Sequence, residues 1–171
     1  MNKAIFLDRD GVVNIARVIN GKPYPPKSVS ETQIMPGIAD ILSWTNEMGY
    51  LNIIVTNQPD ISRGTQSEYN VITINKYLYD NLSIDDIYVC IHDDKDGCFC
   101  RKPKPGLLHW AEIEHNIDLK LSWMIGDRKS DILAGISASC KTVFVDYNYD
   151  EEKPVDATYI IENVSELWDI L

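Results

Sequence analysis

Short apolar runs alternate with stretches of helical periodicity along most of the chain. The runs are four to six residues long and rich in branched apolar residues, which is typical of buried strands. They cover residues 4–7, 51–55, 87–92, 121–125, 142–145 and 158–161. Helices are predicted at 38–48, at 67–81, from Pro105, at 132–138 and, as a short last element, from Val164. This alternation predicts an α/β fold in three layers, with a mainly parallel central sheet.

One connection is longer than a simple link between two elements. Residues 15–36 contain Gly21, Pro23, Pro25 and Pro26 together with several polar residues. The segment is too proline-rich for a helix, and long loops of this kind are often functional. We therefore predict a functional flap between the first strand and the first helix.

Composition and charge exclude several classes of protein. The 171 residues are enough for one domain with a sizeable core, and we expect a single domain over residues 1–171. The formal net charge of -10 argues against a nucleic-acid binder or a membrane-surface binder. No run approaches the ~20 apolar residues that span a bilayer, and we expect no secretory signal, because the first apolar run is far shorter than a signal-peptide core. We expect a cytoplasmic protein and, since nothing demands a dimer, a monomer.

Residues with catalytic potential stand at the ends of three predicted strands. Asp8 and Asp10 follow the first, Thr56 and Asn57 close the second, and Asp127 follows the fourth. Ligands of open α/β sheets bind at the carboxyl ends of the strands, where such residues can converge. The three aspartates offer oxygen ligands suited to Mg²⁺, a hard cation that often shares its site with a substrate phosphate.

This inventory fits phosphoryl transfer. The Thr56 hydroxyl and the Asn57 amide can bind a phosphoryl oxygen, and Lys102 offers a point charge for the same group. One carboxylate can attack phosphorus, and the second, two residues on, can protonate the leaving oxygen and then activate water. An isolated Asp-x-Asp-Gly is more often an ordinary turn, so the hypothesis depends on the whole set of residues.

Four motifs, taken in order, resemble those of the haloacid dehalogenase (HAD) superfamily of phosphatases. They are Asp8-Arg9-Asp10-Gly11, Thr56-Asn57-Gln58, Arg101-Lys102-Pro103, and Gly126-Asp127 with Asp131. The resemblance covers most of the chain. It implies a Rossmann-like HAD fold and Mg²⁺-dependent hydrolysis of a phosphomonoester through an aspartyl-phosphate.

The resemblance also implies a role for each matching position. Asp8 would be the nucleophile and a Mg²⁺ ligand, and Asp10 the general acid/base, with its backbone carbonyl on the metal. Thr56 would bind the phosphoryl group and Lys102 would neutralise it. Asp127 would complete the metal site, and Asp131 would support the shell around the metal.

A second metal site is predicted from cysteine and histidine spacing. Cys90 and His92 lie two residues apart, as do Cys98 and Cys100, so each pair projects to one side of an extended chain. Three thiolates and one imidazole form a closed tetrahedral zinc site, which is structural because no position is left for water. A disulfide with a free thiol, or simply buried cysteines, is the alternative. Zinc here would fix the loop that carries Lys102.

The zinc loop resembles a compact branch of the superfamily that has no large cap domain, and no insert in this chain is long enough to be one. The branch contains the D-glycero-D-manno-heptose 1,7-bisphosphate phosphatases and the histidinol-phosphate phosphatases. The heptose group implies substrate recognition by Arg101 and Arg128. It also implies that residues 56–59 line the phosphate pocket, among them Asn57, Gln58 and Pro59.

Two features depart from the best-known heptose enzymes. Five residues separate His92 from Cys98, a short loop more like that of the histidinol-phosphate branch. The flap lacks a Gly-Tyr-Val-His type sequence, and its residues 21–26 resemble a subgroup often assigned to the heptose phosphatases.

The predicted partner is a small phosphorylated metabolite, with no nucleic acid and no membrane involved. The leading hypothesis is the 7-phosphate of a heptose 1,7-bisphosphate, since Arg63, Arg101 and Arg128 can bind more than one anionic group. Histidinol phosphate, an amine, is the alternative, because acidic residues are available near the entrance, namely Asp60, Asp93, Asp94 and Asp96. Another small sugar phosphate is a further enzyme alternative. A zinc-stabilised binding module is the non-enzyme alternative, but it would have lost the nucleophile or the metal aspartate, and both are present.

Overall fold

The computed structural model describes residues 1–171 and contains eight strands and four α-helices. The strands are β1 (Lys3–Leu7), β2 (Arg17–Ile19), β3 (Lys22–Tyr24), β4 (Tyr50–Asn57), β5 (Asp86–Cys90), β6 (Trp123–Gly126), β7 (Lys141–Val145) and β8 (Tyr159–Ile161). The helices are α1 (Ile38–Glu47), α2 (Glu68–Asn81), α3 (Gly106–His115) and α4 (Lys129–Ser137). Short 3-10 helices lie at Val29–Glu31, Asp94–Asp96, Leu119–Leu121 and Val164–Asp169. No helix combines the length and the apolar character needed to cross a bilayer.

Six strands form one sheet in the order β5-β4-β1-β6-β7-β8. Every neighbouring pair in this sheet is parallel. β1 is therefore central, with β4 on one side and β6 on the other. This arrangement confirms the predicted mainly parallel sheet.

Side chains of β1 alternate between two hydrophobic cores, one on each face of the sheet. Ile5 and Leu7 pack with apolar residues of α1 and α2, whereas Ala4 and Phe6 pack with those of α3 and α4. A strand that is covered on both faces needs apolar residues at every position, which explains the continuous run in the sequence. The three-layer prediction is confirmed, and no insertion of cap size interrupts the layers.

Several elements differ from their predicted bounds by one to three residues, and for two of them the local reason is clear. The strand predicted over 87–92 ends at Cys90, because Cys90 pairs with Asn57, the last residue of the neighbouring β4. The helix predicted from 132 begins at Lys129 instead. The carboxylate of Asp131 accepts a hydrogen bond from the backbone N–H of Arg128 at 3.0 Å, and this contact starts the helix one turn earlier.

The predicted flap contains the hairpin of β2 and β3, which stands apart from the main sheet. Asn20 and Gly21 at its tip have φ of 51° and 75°, as a tight turn of the I′ type requires. The Gly21 carbonyl accepts a hydrogen bond of 2.8 Å from the backbone N–H of Asp150. At the base of the hairpin Arg17 forms an ion pair of 2.8 Å with Glu31. The hairpin is thus anchored at both ends.

Candidate active site and metal-binding clusters

The predicted chemical residues meet at the carboxyl edge of the sheet. Asp8 follows β1, the central strand. Thr56 lies at the end of β4 and Asp127 follows β6, and these two strands flank β1. Asp8 and Thr56 line a cavity of about 320 Å³. Other candidates that line it are Asp10, Asn57, Gln58, Pro59, Arg63, Lys102, Arg128 and Asp131. The parallel topology therefore brings together residues that lie far apart in the sequence.

Lys102 is buried and fixed beside Asp8. Its ammonium group donates to Asp8 Oδ1 at 2.8 Å and to the Val55 carbonyl at 2.7 Å, and it forms an ion pair with Asp131 Oδ1 at 2.7 Å. Burial lowers the pKa of Lys102, but the carboxylates of Asp131 and Asp8 outweigh it and raise the pKa above its usual range. Lys102 is thus a permanent cation at the reacting end of the cavity.

Asp8, Asp127 and Asp131 form a buried carboxylate cluster whose oxygens lie within 4.8 Å of one another. Burial raises the pKa of Asp8 to about 6, against the opposing effect of Lys102. Burial, together with the charges of Asp8 and Asp131, raises the pKa of Asp127 well above its ordinary value. The cluster carries more negative charge than Lys102 alone can balance, so it favours a further cation.

Asp127 is the member of this cluster that fits a metal ion best. Neither of its buried carboxylate oxygens has a partner at normal hydrogen-bond geometry, although the Tyr149 hydroxyl lies near enough for burial and the Asp127 charge to raise the pKa of Tyr149. Gly11 has a φ of +106°, and a Cβ on it would lie 1.9 Å from Asp127 Oδ2, so only glycine lets the two loops approach this closely. Buried oxygens without partners, next to Asp8, are suitable ligands for a hard divalent cation.

The side chain of Asp10 lies in the cavity lining but outside the carboxylate cluster. Its carboxylate accepts hydrogen bonds from Arg9, from Asn14 at 3.0 Å and from Gln58 at 2.8 Å. The Gln58 amide also donates to Thr56 Oγ1 at 3.0 Å. Gln58 therefore connects the predicted acid/base to the predicted phosphate-binding hydroxyl.

One supporting residue, Arg9, was missed by the sequence reasoning, and the predicted site residue Asn57 has a supporting contact of its own. Arg9 is fully buried; it binds Asp10 and donates to Asn75 Oδ1 at 2.8 Å. Asn57 was predicted to bind phosphate. Its side chain forms two hydrogen bonds with the backbone of Lys102, accepting from the N–H at 3.1 Å and donating to the carbonyl at 3.0 Å. The position of Arg9 between the two site aspartates was the one available signal.

The arginines predicted to recognise substrate are all paired with carboxylates. Arg63 binds Asp93 and lies 3.5 Å from Asp60, and Arg128 binds Glu151 through two nitrogens, Nε at 2.8 Å. Both arginines line the cavity. Arg101 does not line it, because its side chain is held at Asp94 (2.7 Å) and at the His92 carbonyl (3.3 Å).

The Cys/His cluster is assembled as the spacing predicted. Sulfur atoms of Cys90, Cys98 and Cys100 lie 3.2 to 3.7 Å apart, and His92 Nδ1 lies 3.4 Å from Cys100 Sγ. A tetrahedron with Zn–S bonds of ~2.3 Å has edges of about 3.8 Å, so the set is close to metal-binding geometry. All three cysteines are free, and burial raises the pKa of Cys90 to about 12. A bound metal would stabilise the thiolates.

Comparisons with known proteins agree with this geometry. Residues 99–167 match a family model described as HAD-hydrolase-like. A D-glycero-beta-D-manno-heptose-1,7-bisphosphate 7-phosphatase of Helicobacter pylori is 39% identical, over 82% of this chain and 80% of the relative. The D-glycero-alpha-D-manno-heptose-1,7-bisphosphate 7-phosphatase of Campylobacter jejuni is 36% identical, over 96% and 93%. A crystal structure of D,D-heptose 1,7-bisphosphate phosphatase from B. bronchiseptica, complexed with magnesium and phosphate, has a TM-score of 0.81 and 26% identity, and the match covers 99% of both chains.

Proposed function

The chain belongs to the heptose-1,7-bisphosphate 7-phosphatase family of HAD-like hydrolases, and we propose that it removes the 7-phosphate of a heptose 1,7-bisphosphate. One observation supports this reaction above all others. Asp8 is held by the buried ammonium group of Lys102, directly beside an Asp127 carboxylate that has no other partner. A nucleophile, a fixed positive charge and ligands for a divalent cation thus stand together at the carboxyl edge of the sheet.

Mg²⁺ is the proposed catalytic cation, and Asp8, Asp127 and the Asp10 backbone carbonyl would hold it. When bound, it would neutralise charge on the transferred phosphoryl group. Lys102, which already donates to Asp8, would also donate to a phosphoryl oxygen, and the Thr56 hydroxyl would donate to another. These contacts are strongest when charge spreads over the phosphoryl oxygens in the transition state.

The reaction would proceed in two steps through the protein's own carboxylates. An Asp8 oxygen attacks phosphorus, the bond from phosphorus to the sugar oxygen breaks, and Asp10 gives its proton to that oxygen. The aspartyl-phosphate formed on Asp8 is then attacked by water, and Asp10 takes up the water proton. Inorganic phosphate leaves and Asp8 is regenerated. Gln58, bound to both Asp10 and Thr56, would keep the acid/base aligned with the bound phosphoryl group.

The histidinol-phosphate alternative has less support at the cavity rim than the sequence suggested. Two of the four acidic residues that favoured an amine substrate are bound by arginines, Asp93 by Arg63 and Asp94 by Arg101, which reduces the negative charge that they offer to an ammonium group. Asp60 lines the cavity 3.5 Å from Arg63, and Asp96 accepts only from the neutral donors of Ser62 and the Asp93 backbone.

Zinc is the proposed occupant of the Cys/His cluster, with a structural role. Three sulfurs and one imidazole nitrogen are a donor set that zinc prefers, and they fill all four tetrahedral positions. Because Cys100 lies two residues before Lys102, the metal would fix the start of the catalytic loop. The cytoplasmic location, the monomeric state and the single domain over residues 1–171 remain predictions.

The proposed substrate is tested by comparing kcat/KM for both anomers of heptose 1,7-bisphosphate with that for histidinol phosphate, in the presence of Mg²⁺. For one heptose anomer we expect kcat/KM to be at least about 100-fold higher than for histidinol phosphate. This ratio is equivalent to about 2.7 kcal/mol of differential transition-state binding. A preference for histidinol phosphate would contradict the proposal. The same assay decides between the α and β anomers, on which the two named relatives differ.

A further inference from the structure

The positively charged side chains around the cavity differ in whether a carboxylate already neutralises them. Arg63 and Arg128 line the cavity, but each is neutralised by a carboxylate, and Arg101 lies outside it with Asp94. Lys102 also lines the cavity, but it is committed to Asp8 and Asp131 at the reacting end. Lys22 is the remaining cation of the lining, and its side chain has neither an ion pair nor a hydrogen bond.

Lys22 is held over the cavity by a supported hairpin. It is the first residue of β3 and pairs with Ile19 of β2 across the turn. The hydrogen bond from Asp150 to the Gly21 carbonyl fixes the backbone next to Lys22. Lys27, five residues further along the same flap, lines a separate cavity together with Arg17 and Gln66. The two lysines therefore offer the same charge to two different cavities.

We propose that Lys22 binds the second phosphate of the substrate, the one that is not hydrolysed. This assignment rests on the proposed function, because a heptose bisphosphate carries a second dianion that needs a cation within the same cavity. An arginine that is paired with a carboxylate keeps N–H groups for a phosphate, but its charge is already balanced by that carboxylate, so its net attraction for a second dianion is smaller. Lys22 has no such partner, and its flexible stem carries a compact ammonium charge suited to a phosphate.

The proposal predicts a selective loss of affinity for bisphosphates. Lys22→Met should raise KM for heptose 1,7-bisphosphate about tenfold, the usual size of a lost charge-assisted hydrogen bond, while kcat stays within about twofold. KM for heptose 7-phosphate, which lacks the second phosphate, should change less than about twofold, because only the missing contact is removed. Lys22→Arg should restore most of the affinity for the bisphosphate.

Lys27→Met is the matched control, because it removes the same charge from the same flap on the side of the other cavity. It should leave both KM values within about twofold of those of the wild-type enzyme. Circular dichroism and thermal unfolding of each variant will exclude a general loss of structure.

The possible outcomes separate the two hypotheses. If the wild-type enzyme hydrolyses the bisphosphate and Lys22→Met keeps its KM, the Lys22 assignment is wrong and the proposed function stands. An equal rise in KM for mono- and bisphosphate, or an equal effect of Lys27→Met, also overturns the assignment. A tenfold rise in KM caused by Arg128→Met but not by Lys22→Met would assign the second phosphate to Arg128. If the wild-type enzyme does not hydrolyse the bisphosphate, the proposed function fails and the assignment fails with it.

Discussion

The two candidate metal-binding clusters of this protein are built in opposite ways. The carboxylate cluster joins Asp8 to Asp127 and Asp131, more than a hundred residues away in the sequence, and it exists only because β1 and β6 are neighbours in the sheet. The Cys/His cluster takes all its ligands from residues 90–100, which comprise the last residue of β5 and the loop after it. One cluster depends on the whole fold, whereas the other is nearly complete within a short segment.

The two clusters also differ in the chemistry of their ligands. The carboxylate cluster has hard oxygen ligands and borders the cavity, so a cation held there can share its ligands with a substrate. The Cys/His cluster has soft ligands that already occupy four tetrahedral positions. We conclude that the first is suited to catalysis and the second to structure. The two are linked through Lys102, which follows Cys100 by two residues and binds Asp8.

The largest effect is expected from changing the nucleophile. Asp8→Asn has nearly the same shape but cannot attack phosphorus, so kcat should fall by about 10³-fold or more. The measurement is release of inorganic phosphate at saturating Mg²⁺. Asp156→Asn is the control, since Asp156 is exposed and its side chain forms no hydrogen bond or ion pair, and it should keep full activity. Activity of Asp8→Asn near the wild-type level would remove Asp8 from the catalytic role.

Removing a ligand of the Cys/His cluster should have a smaller, indirect effect. Cys100→Ser should lower zinc content well below one per chain and reduce kcat about 10- to 100-fold, because the loop that positions Lys102 loses its anchor. Elemental analysis and phosphate release measure the two quantities on the same sample. Cys140→Ser, at a buried cysteine outside the cluster, should leave zinc content unchanged. A zinc-depleted variant with unchanged kcat would show that the two clusters are independent.

The smallest of these effects is expected at Asn57, whose side chain is hydrogen-bonded to the backbone of Lys102. Asn57→Ala removes two hydrogen bonds to Lys102 and should lower kcat about tenfold with little change in KM. Asn81→Ala is a suitable control, because that side chain also donates to a backbone carbonyl, at 2.8 Å, but in α2. A rise in KM without a fall in kcat would instead indicate that Asn57 binds substrate directly.

The sequence was sufficient for the fold, for the Cys/His cluster and for two members of the carboxylate cluster, Asp8 and Asp127, whereas it put Asp10 where the structure has the Asp131 side chain. Strands covered on both faces have continuous apolar runs, which can be recognised in the sequence. Parallel strands have their carboxyl ends at one edge of the sheet, so the closeness of Asp8 and Asp127 could be predicted from their positions after two strands. The Cys/His spacing is local and needs no tertiary information.

The sequence could not reveal how the remaining polar residues pair. Arg63 binds Asp93, thirty residues away, and Arg128 binds Glu151, 23 residues away, both through contacts between loops. Loop-to-loop pairs carry no periodicity, so the arginines appeared free for substrate. The same limit hid the role of Asn57, whose partner is the backbone of a distant loop.

The contrast between a catalytic and a structural metal is tested most directly by removing one metal and retaining the other. Dialysis into metal-free buffer should remove the more weakly held Mg²⁺, while zinc stays bound to its four ligands. We predict that phosphate release falls to background, that zinc content stays at about one per chain, and that adding Mg²⁺ alone restores the activity. Full activity without Mg²⁺, or a loss of activity that follows zinc content instead, would contradict the account.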